Sequence, residues 1–225
     1  MSDPPPDSDE QAPRRIPRPR RLHLVAAAIA IVAVAVVVVL ARSGGDGDAA
    51  VTDTFEGTGF LGDDSSDVAW EVLAGAFIRS DGAVRVAAGD DPASAVVEVG
   101  FGDGELVVPV IRPADGAGVI FRVVDEDNHW RLTYSTEFAT WNIDQVTDGA
   151  VLFVANTGLS GAESAELGVS LDGDDIVVAV DGERRAVISD ESHQDATAAG
   201  LFVADTAGAE RARMLYEAFE FTPAS

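Results

Sequence analysis

Six Asp-Gly pairs punctuate the chain beyond Thr52, and they restrict its fold more than any other feature. They fall at Asp81-Gly82, Asp103-Gly104, Asp115-Gly116, Asp148-Gly149, Asp172-Gly173 and Asp181-Gly182. Both residues tolerate positive φ, so the pair suits the tight turns that match strand twist in β-hairpins. Between them lie short runs rich in Val, Ile, Phe and Leu. The spacing predicts strands near 52–56, 68–72, 76–79, 83–88, 94–101, 105–111, 117–124, 129–134, 139–145, 150–156, 166–171, 175–180, 184–189, 198–204 and 214–221. Several alternate cleanly, as in Leu167, Val169 and Leu171 with Gly168 and Ser170 between them. Pro109 lacks an amide hydrogen, so its strand is expected at an edge or with a bulge. Residues 207–213 look briefly helical, but the following 215–221 alternates better as a strand. Short strands at hairpin spacing without a strong helix predict an all-β sandwich or barrel. No repeat of fixed period argues for a propeller or β-helix.

The N-terminal quarter is different. Residues 1–21 are rich in Pro and Arg and nearly devoid of apolar side chains, a composition that cannot offset the entropy of ordering; a disordered tail is expected. Residues 22–41 form a twenty-residue apolar run, unbroken from Leu24 to Ala41. At ~1.5 Å per residue it spans one bilayer core, and a single segment satisfies its backbone in lipid only as a helix. Arg14, Arg15, Arg18, Arg20 and Arg21 precede it and only Arg42 follows closely. The positive-inside rule then puts the N-terminus in the cytoplasm and the remainder outside the cell membrane. A cleaved signal peptide ending near Ala41 is the competing reading, but the apolar run exceeds a usual signal core, which favours an uncleaved single-pass signal anchor. Residues 42–51 read as a flexible linker and 52–223 as the folded ectodomain.

Charge bears on partners. Residues 43–225 hold nine Arg, no Lys and thirty-five acids, a net −26. So negative a body disfavours nucleic acid and anionic lipid as ligands of the folded part. There is no cysteine, hence no disulfide, thiolate metal site or cysteine nucleophile.

The stretch Ala117-Gly118-Val119-Ile120-Phe121-Arg122-Val123-Val124-Asp125, followed by Asn128-His129-Trp130-Arg131-Leu132, resembles the concanavalin A-like lectin/glucanase jelly rolls, laminin-G-like domains among them. Asp53-Thr54-Phe55 and Tyr216-Glu217-Ala218-Phe219 look like the first and last strands, which lie side by side in that family. Trp70-Glu71 with Gly75-Ala76-Phe77 resembles an early hairpin, and Gly168–Leu171 through Val180-Asp181-Gly182 a late one. Thr197–Leu201 looks like the penultimate strand. The likeness covers most of 52–223. It implies a two-sheet jelly-roll β-sandwich and, by analogy alone, binding of carbohydrate or cell-wall glycan. A glycoside hydrolase of the same superfamily and a structural or protein-binding ectodomain remain alternatives.

Glycoside hydrolysis needs two carboxylates flanking the scissile bond. The family's glucanases carry them as Glu-x-Asp-x-x-Glu on one strand, and this chain has no such motif. Laminin-G-like domains hold Ca2+ at a rim, which makes Asp125, Asp127 and Asn128 a candidate cluster and Asp172, Asp174 and Asp175 another, though neither has EF-hand spacing. Trp70, Trp130, Tyr134 and Trp141 are the aromatics available for stacking on a sugar, with core packing the competing role for each.

Residues 117–134 are expected to form a central hairpin around Asp125–Asn128. A two- or four-residue loop pairs Val119 with Tyr134, Phe121 with Leu132 and Val123 with Trp130 on a core face. The opposite face then pairs Ile120 with Thr133, Val124 with His129, and Arg122 with Arg131. Two Arg in register need a bridging carboxylate or an anionic or hydroxyl-rich ligand. Arg122, Arg131, His129 and Trp141 are therefore the candidate ligand-binding residues.

Overall fold

The computed structural model describes residues 50–63, 67–89, 91–159 and 163–224. The expected tail 1–21, the apolar run 22–41 and all but the end of the linker lie outside them. No helix among the described residues is long and apolar enough to cross a membrane.

In chain order the strands are β1 (Val51–Asp53), β2 (Thr58–Phe60), β3 (Trp70–Ala74), β4 (Phe77–Ser80), β5 (Val84–Val86), β6 (Ala93–Glu98), β7 (Gly104–Ile111), β8 (Ala117–Asp125) and β9 (Asn128–Ser135). There follow β10 (Thr140–Thr147), β11 (Ala150–Leu159), β12 (Ser164–Asp172), β13 (Asp175–Val180), β14 (Glu183–Ser189), β15 (Ala198–Val203), a 3-10 helix (Asp205–Arg213), β16 (Leu215–Tyr216) and β17 (Phe219–Pro223). Among the described residues they build two sheets. The larger has ten strands, running β14-β13-β12-β7-β16-β5-β4-β2, with β17 also on β7 and β1 on β17. The smaller has seven, in the order β11-β10-β9-β8-β15-β6-β3.

Turn chemistry follows the sequence. Asp81-Gly82, Asp148-Gly149 and Asp181-Gly182 each have positive φ at both residues, as a two-residue hairpin loop of primed type requires. At Asp172-Gly173 the loop moves one residue on, to Gly173-Asp174.

Facing sides of the two sheets enclose the core. Trp130, Trp141, Phe121, Leu132 and Ile143 from the smaller sheet meet Phe77, Leu106, Val108, Leu167, Val178 and Phe221 from the larger. Tyr216 is fully buried, and its hydroxyl lies 2.7 Å from the carbonyl oxygens of both Gly118 and Phe202, joining the larger sheet to β8 and β15 of the smaller. Trp70 donates its indole N–H to Asp53 Oδ2 at 2.8 Å, so the first strand is pinned to the opposite sheet.

The expected neighbours β1 and β17 pair, Asp53 opposite Phe219. The late hairpin is β12–β13. Four expectations are corrected. Trp70–Phe77 is not a hairpin: β3 joins β6 in the smaller sheet and β4 joins β2 and β5 in the larger, with Gly75 at φ 64° carrying the chain between layers. The single strand expected at 214–221 is two strands, β16 and β17, after the 3-10 helix, and β2 was not expected. Pro109 is in a central strand without a bulge, opposite Glu166 of β12. Its carbonyl accepts from Glu217 N at 3.2 Å, so its missing N–H faces the break between β16 and β17, where the neighbouring ladder is already interrupted.

The fourth correction is the register of the central hairpin. Val119 pairs with Leu132, Ile120 with Arg131 and Phe121 with Trp130, while Asp125 pairs with Asn128. Between those rungs β8 advances four residues and β9 two, so a bulge absorbs the difference. Arg122 lies in it at φ 49°. The expected register holds only next to the turn, and Arg122 does not face Arg131. Up to Phe121 the slip is by two residues, so the side-chain faces are unchanged although the partners differ; beyond it the bulge reverses them, so that Val123, expected in the core, joins Val96 and Ile120 in a separate cluster, and Arg122, expected on the opposite face, reaches Gly173 O and Asp190 O.

Candidate ligand platform on the seven-stranded sheet

The outer side of the smaller sheet carries a cross-strand row fixed by register. It reads Phe153, Asp144, Arg131, Ile120, Gly200, Val96 and Glu71 from β11 to β3. A second row runs Asn156, Asn142, Thr133, Gly118, Phe202 and Ser94. Neither Gly118 nor Gly200 could be anything else. A Cβ on Gly118 would lie 1.8 Å from the Leu132 carbonyl oxygen, and one on Gly200 would lie 2.0 Å from that of Ala95.

The two halves of this face differ. Toward β3 the residues Val96, Ile120 and Val123, with Leu73, Ala198 and Phe202, form an apolar cluster separate from the main core. Glu71 and Glu98 flank it, in a depression of about 500 Å3. Toward β11 the surface is polar. Arg131 Nε donates to Asp144 Oδ2 at 3.0 Å, and the guanidinium sits 5.4 Å from the Phe202 ring centre. The cation–π contact and the carboxylate hold Arg131 from both sides.

At the β10–β11 end lies a cavity of about 450 Å3 lined by Phe138, Thr140, Asn142, Phe153, Asn156 and Gly158. Phe138 is 62% exposed and Phe153 55%. Thr140 donates its hydroxyl to Gly158 O at 2.7 Å and retains lone pairs. Asn156 Oδ1 accepts from Gly158 N at 3.1 Å, which leaves its NH2 free to donate. The Asn142 amide has no partner among the described residues. The cavity therefore offers two aromatic faces beside amide donors and acceptors.

The residues expected from sequence are placed apart. Arg131 is on the platform. Arg122 is buried, its guanidinium donating to Asp190 O at 3.0 Å and to Gly173 O of the opposite sheet. Burial lowers its pKa, opposed by Asp103, Asp190 and Asp174. It clips the end of the sandwich and offers nothing to solvent. Trp141 is fully buried in the core with Tyr134 and has no face free for a sugar. Trp130 is likewise buried and donates to Ser192 O at 3.2 Å. His129 is on the outer side but buried beside Phe202, and neither ring nitrogen has a hydrogen-bond partner among the described residues. Burial holds its pKa below the ordinary value of 6.5, and the positive Arg131 and His193 add to the shift.

The acidic turn is self-satisfied. Asp125 Oδ1 accepts from Asp127 N and Asn128 Nδ2, both at 2.9 Å, and Asn128 Oδ1 accepts from Asp148 N at 3.1 Å. The Asn128 bond is the main reason the Asp125 carboxyl sits below its usual range. In the second acidic cluster, Asp174 accepts from the Ser189 hydroxyl. No group of three or more His, Asp or Glu converges as a metal site among the described residues.

Sequence reasoning missed Phe138, Phe153, Asn142 and Asn156. The available signal was an uncharged strand, 150–159, beside a turn bearing an isolated Phe.

The fold so described is an all-β, two-sheet sandwich of the jelly-roll kind, and solved structures share it. A β-glucanase of Bacillus licheniformis shares it at 12% identity and a TM-score of 0.52, over 75% of this chain and 99% of that one. SCLam, a non-specific endo-β-1,3(4)-glucanase of family GH16, aligns at 10% identity and 0.54, over 76% and 89%. The Bacteroides ovatus xyloglucan-locus protein GH43B aligns at 14% and 0.57, over 81% of this chain and 41% of that one. No family profile and no curated protein matches the sequence.

Proposed function

We propose that this chain is a membrane-anchored, extracellular glycan-binding protein, with the outer side of its seven-stranded sheet as the binding platform and a cell-wall polysaccharide as its ligand. One observation carries the reading: Phe138 and Phe153, each more than half exposed, flank a cavity whose other walls are Asn142, Asn156 and Thr140. Leaving a Phe in water instead of burying it forgoes about 1.5–3 kcal/mol. A pyranose ring supplies what such a cavity lacks. Its C–H face covers an aromatic ring, and its neighbouring hydroxyls match the donor and acceptor of an amide. Anchoring rests on the apolar run 22–41 and the arginines before it.

Calorimetric titration of the full chain in mild detergent against peptidoglycan fragments, β-glucans, xyloglucan and arabinan oligosaccharides tests this reading. Binding to one class is expected, lost in Phe153→Ala. No binding across the panel overturns it, and release of new reducing ends would move the protein to the hydrolases. Protease added to intact cells should remove the jelly roll; protection would overturn the extracellular placement.

A further inference from the structure

Two bulges in β11 shape the cavity between Phe138 and Phe153. Strict alternation would send Phe153 and Asn156, an odd number of residues apart, to opposite sides of the sheet. Opposite Ile143 and Asp144 of β10, however, β11 steps from Ala155 to Phe153, with Val154 as the extra residue. Asp144 is on the outer side with Arg131, so Phe153 and Asn156 both face outward. The second shift falls between Thr140 and Asn142. There Thr157 is buried, its hydroxyl accepting from Trp141 N at 3.2 Å, and Gly158 takes φ 72°. Bulges are frequent beside working sites because they re-aim side chains.

What these bulges aim is a pair of carboxamides. Asn142 and Asn156 are opposite one another in the β10–β11 register, which puts their Cβ atoms about 4.5–5.5 Å apart. Gly158 N already donates to Asn156 Oδ1, so Asn156 presents its NH2 to the cavity. Asn142, without a partner among the described residues, presents both an oxygen and an NH2. No charged side chain lines the cavity, although residues 43–225 hold nine Arg and thirty-five acids. The depression toward β3 is different, with Glu71, Glu98, Asp125 and Glu126 around it.

We propose that this cavity selects an N-acetylated sugar, with the acetamido group seated between Asn142 and Asn156. The inference rests on the glycan reading and names its ligand class. An acetamido group carries its acceptor and its donor on different atoms, so it can bridge side chains on adjacent strands. Its carbonyl oxygen accepts from Asn156 Nδ2, and its N–H donates to Asn142 Oδ1. Its methyl group extends the apolar cover over the exposed phenylalanine rings. A hydroxyl in the same place has a single oxygen and no methyl. A free amine is a cation with three donors and no acceptor, so it leaves the NH2 of Asn156 unanswered. An anionic sugar meets a net charge of −26 on residues 43–225 and no cation in the cavity.

Three trisaccharides of one linkage separate these cases: N,N′,N″-triacetylchitotriose, cellotriose, and chitotriose with free amines. Each is titrated calorimetrically into the full chain in mild detergent. The acetylated trimer is expected to bind about tenfold or more tightly than either of the others, because a site built to hydrogen-bond a group rejects the analogue that lacks it. Asn142→Ala and Asn156→Ala should each bring the ratio of affinities for the acetylated trimer and cellotriose close to one. Asn156 is exposed, so its variant should melt with the native chain and report on binding alone. Equal affinity for cellotriose and the acetylated trimer, or a preference that survives in Asn156→Ala, overturns the inference and leaves glycan binding standing. Binding of β-glucan or xyloglucan with none of the acetylated trimer does the same. Silence from every oligosaccharide removes the glycan reading, and this inference with it.

Discussion

Arg131 Nε and Asp144 Oδ2 meet at 3.0 Å across the β9–β10 rung, on the outer side of the smaller sheet. Both side chains are largely covered, so solvent screens the pair only in part. Removing one member leaves the other half-buried without a partner. Asp144→Ala is expected to lower unfolding stability by about 1–3 kcal/mol. The Arg131→Ala, Asp144→Ala double variant should be less damaging than the sum of the singles. Urea denaturation of all four proteins measures this, and strict additivity would show that the two groups are not coupled.

Phe138 and Phe153 should behave in the opposite way. Both are exposed, so Phe138→Ala and Phe153→Ala are expected to shift stability by less than about 0.5 kcal/mol. On the glycan reading each should weaken binding about tenfold or more, the equivalent of roughly 1.4 kcal/mol of lost contact. Calorimetry beside a thermal melt separates the effects. Loss of stability without loss of binding would place the rings in the fold rather than the site.

Arg122 is a structural clip. Its guanidinium ties the β8 bulge to the carbonyls of Gly173 and Asp190. Arg122→Ala opens a cavity and leaves those carbonyls without their donor, so a loss of about 3–5 kcal/mol is expected. Where the variant is still folded, at low temperature, its glycan affinity should be unchanged. A stable Arg122→Ala protein that has lost binding would reverse this assignment.

His129 makes stability depend on pH. Burial lowers its folded pKa below the unfolded value near 6.5. Between those two values the unfolded chain binds more protons, so stability rises with pH there. Its contribution is intact above about 6.5, declines as pH falls below that, and levels off once the folded pKa is passed. Arg131, His193 and Asp125 are the charged neighbours. His129→Leu should flatten the difference in melting temperature between pH 7.5 and pH 5, and an unchanged slope would remove His129 as the cause.

The strands were legible because Asp-Gly turns and alternating apolar residues are local signals. Partners across the central hairpin were not. The bulge at Arg122 has no glycine to announce it, and an arginine at φ 49° is held there by contacts with turns far along the chain. Because the slip is an even number, Phe121, Trp130 and Leu132 were correctly assigned to the core while their pairings were wrong. Burial of Trp141 agreed with its alternation, whereas Val151-Leu152-Phe153 reads in sequence as a strand covered on both sides. Exposure there follows from β11 being last in its sheet, an order that long-range pairing decides. The platform stayed hidden for the same reason, since its phenylalanines became conspicuous only once the edge was known.

Gly118 and Gly200 have a further consequence for how this surface can change. A saturation library across the outer face would show two empty columns, because the first side-chain carbon collides with a carbonyl of the adjacent strand. The middle of the face is thus a fixed template, and variation is left to its margins. Selection for new ligands, natural or in the laboratory, would rewrite Phe138, Asn142, Phe153 and Asn156 around a centre that stays blank.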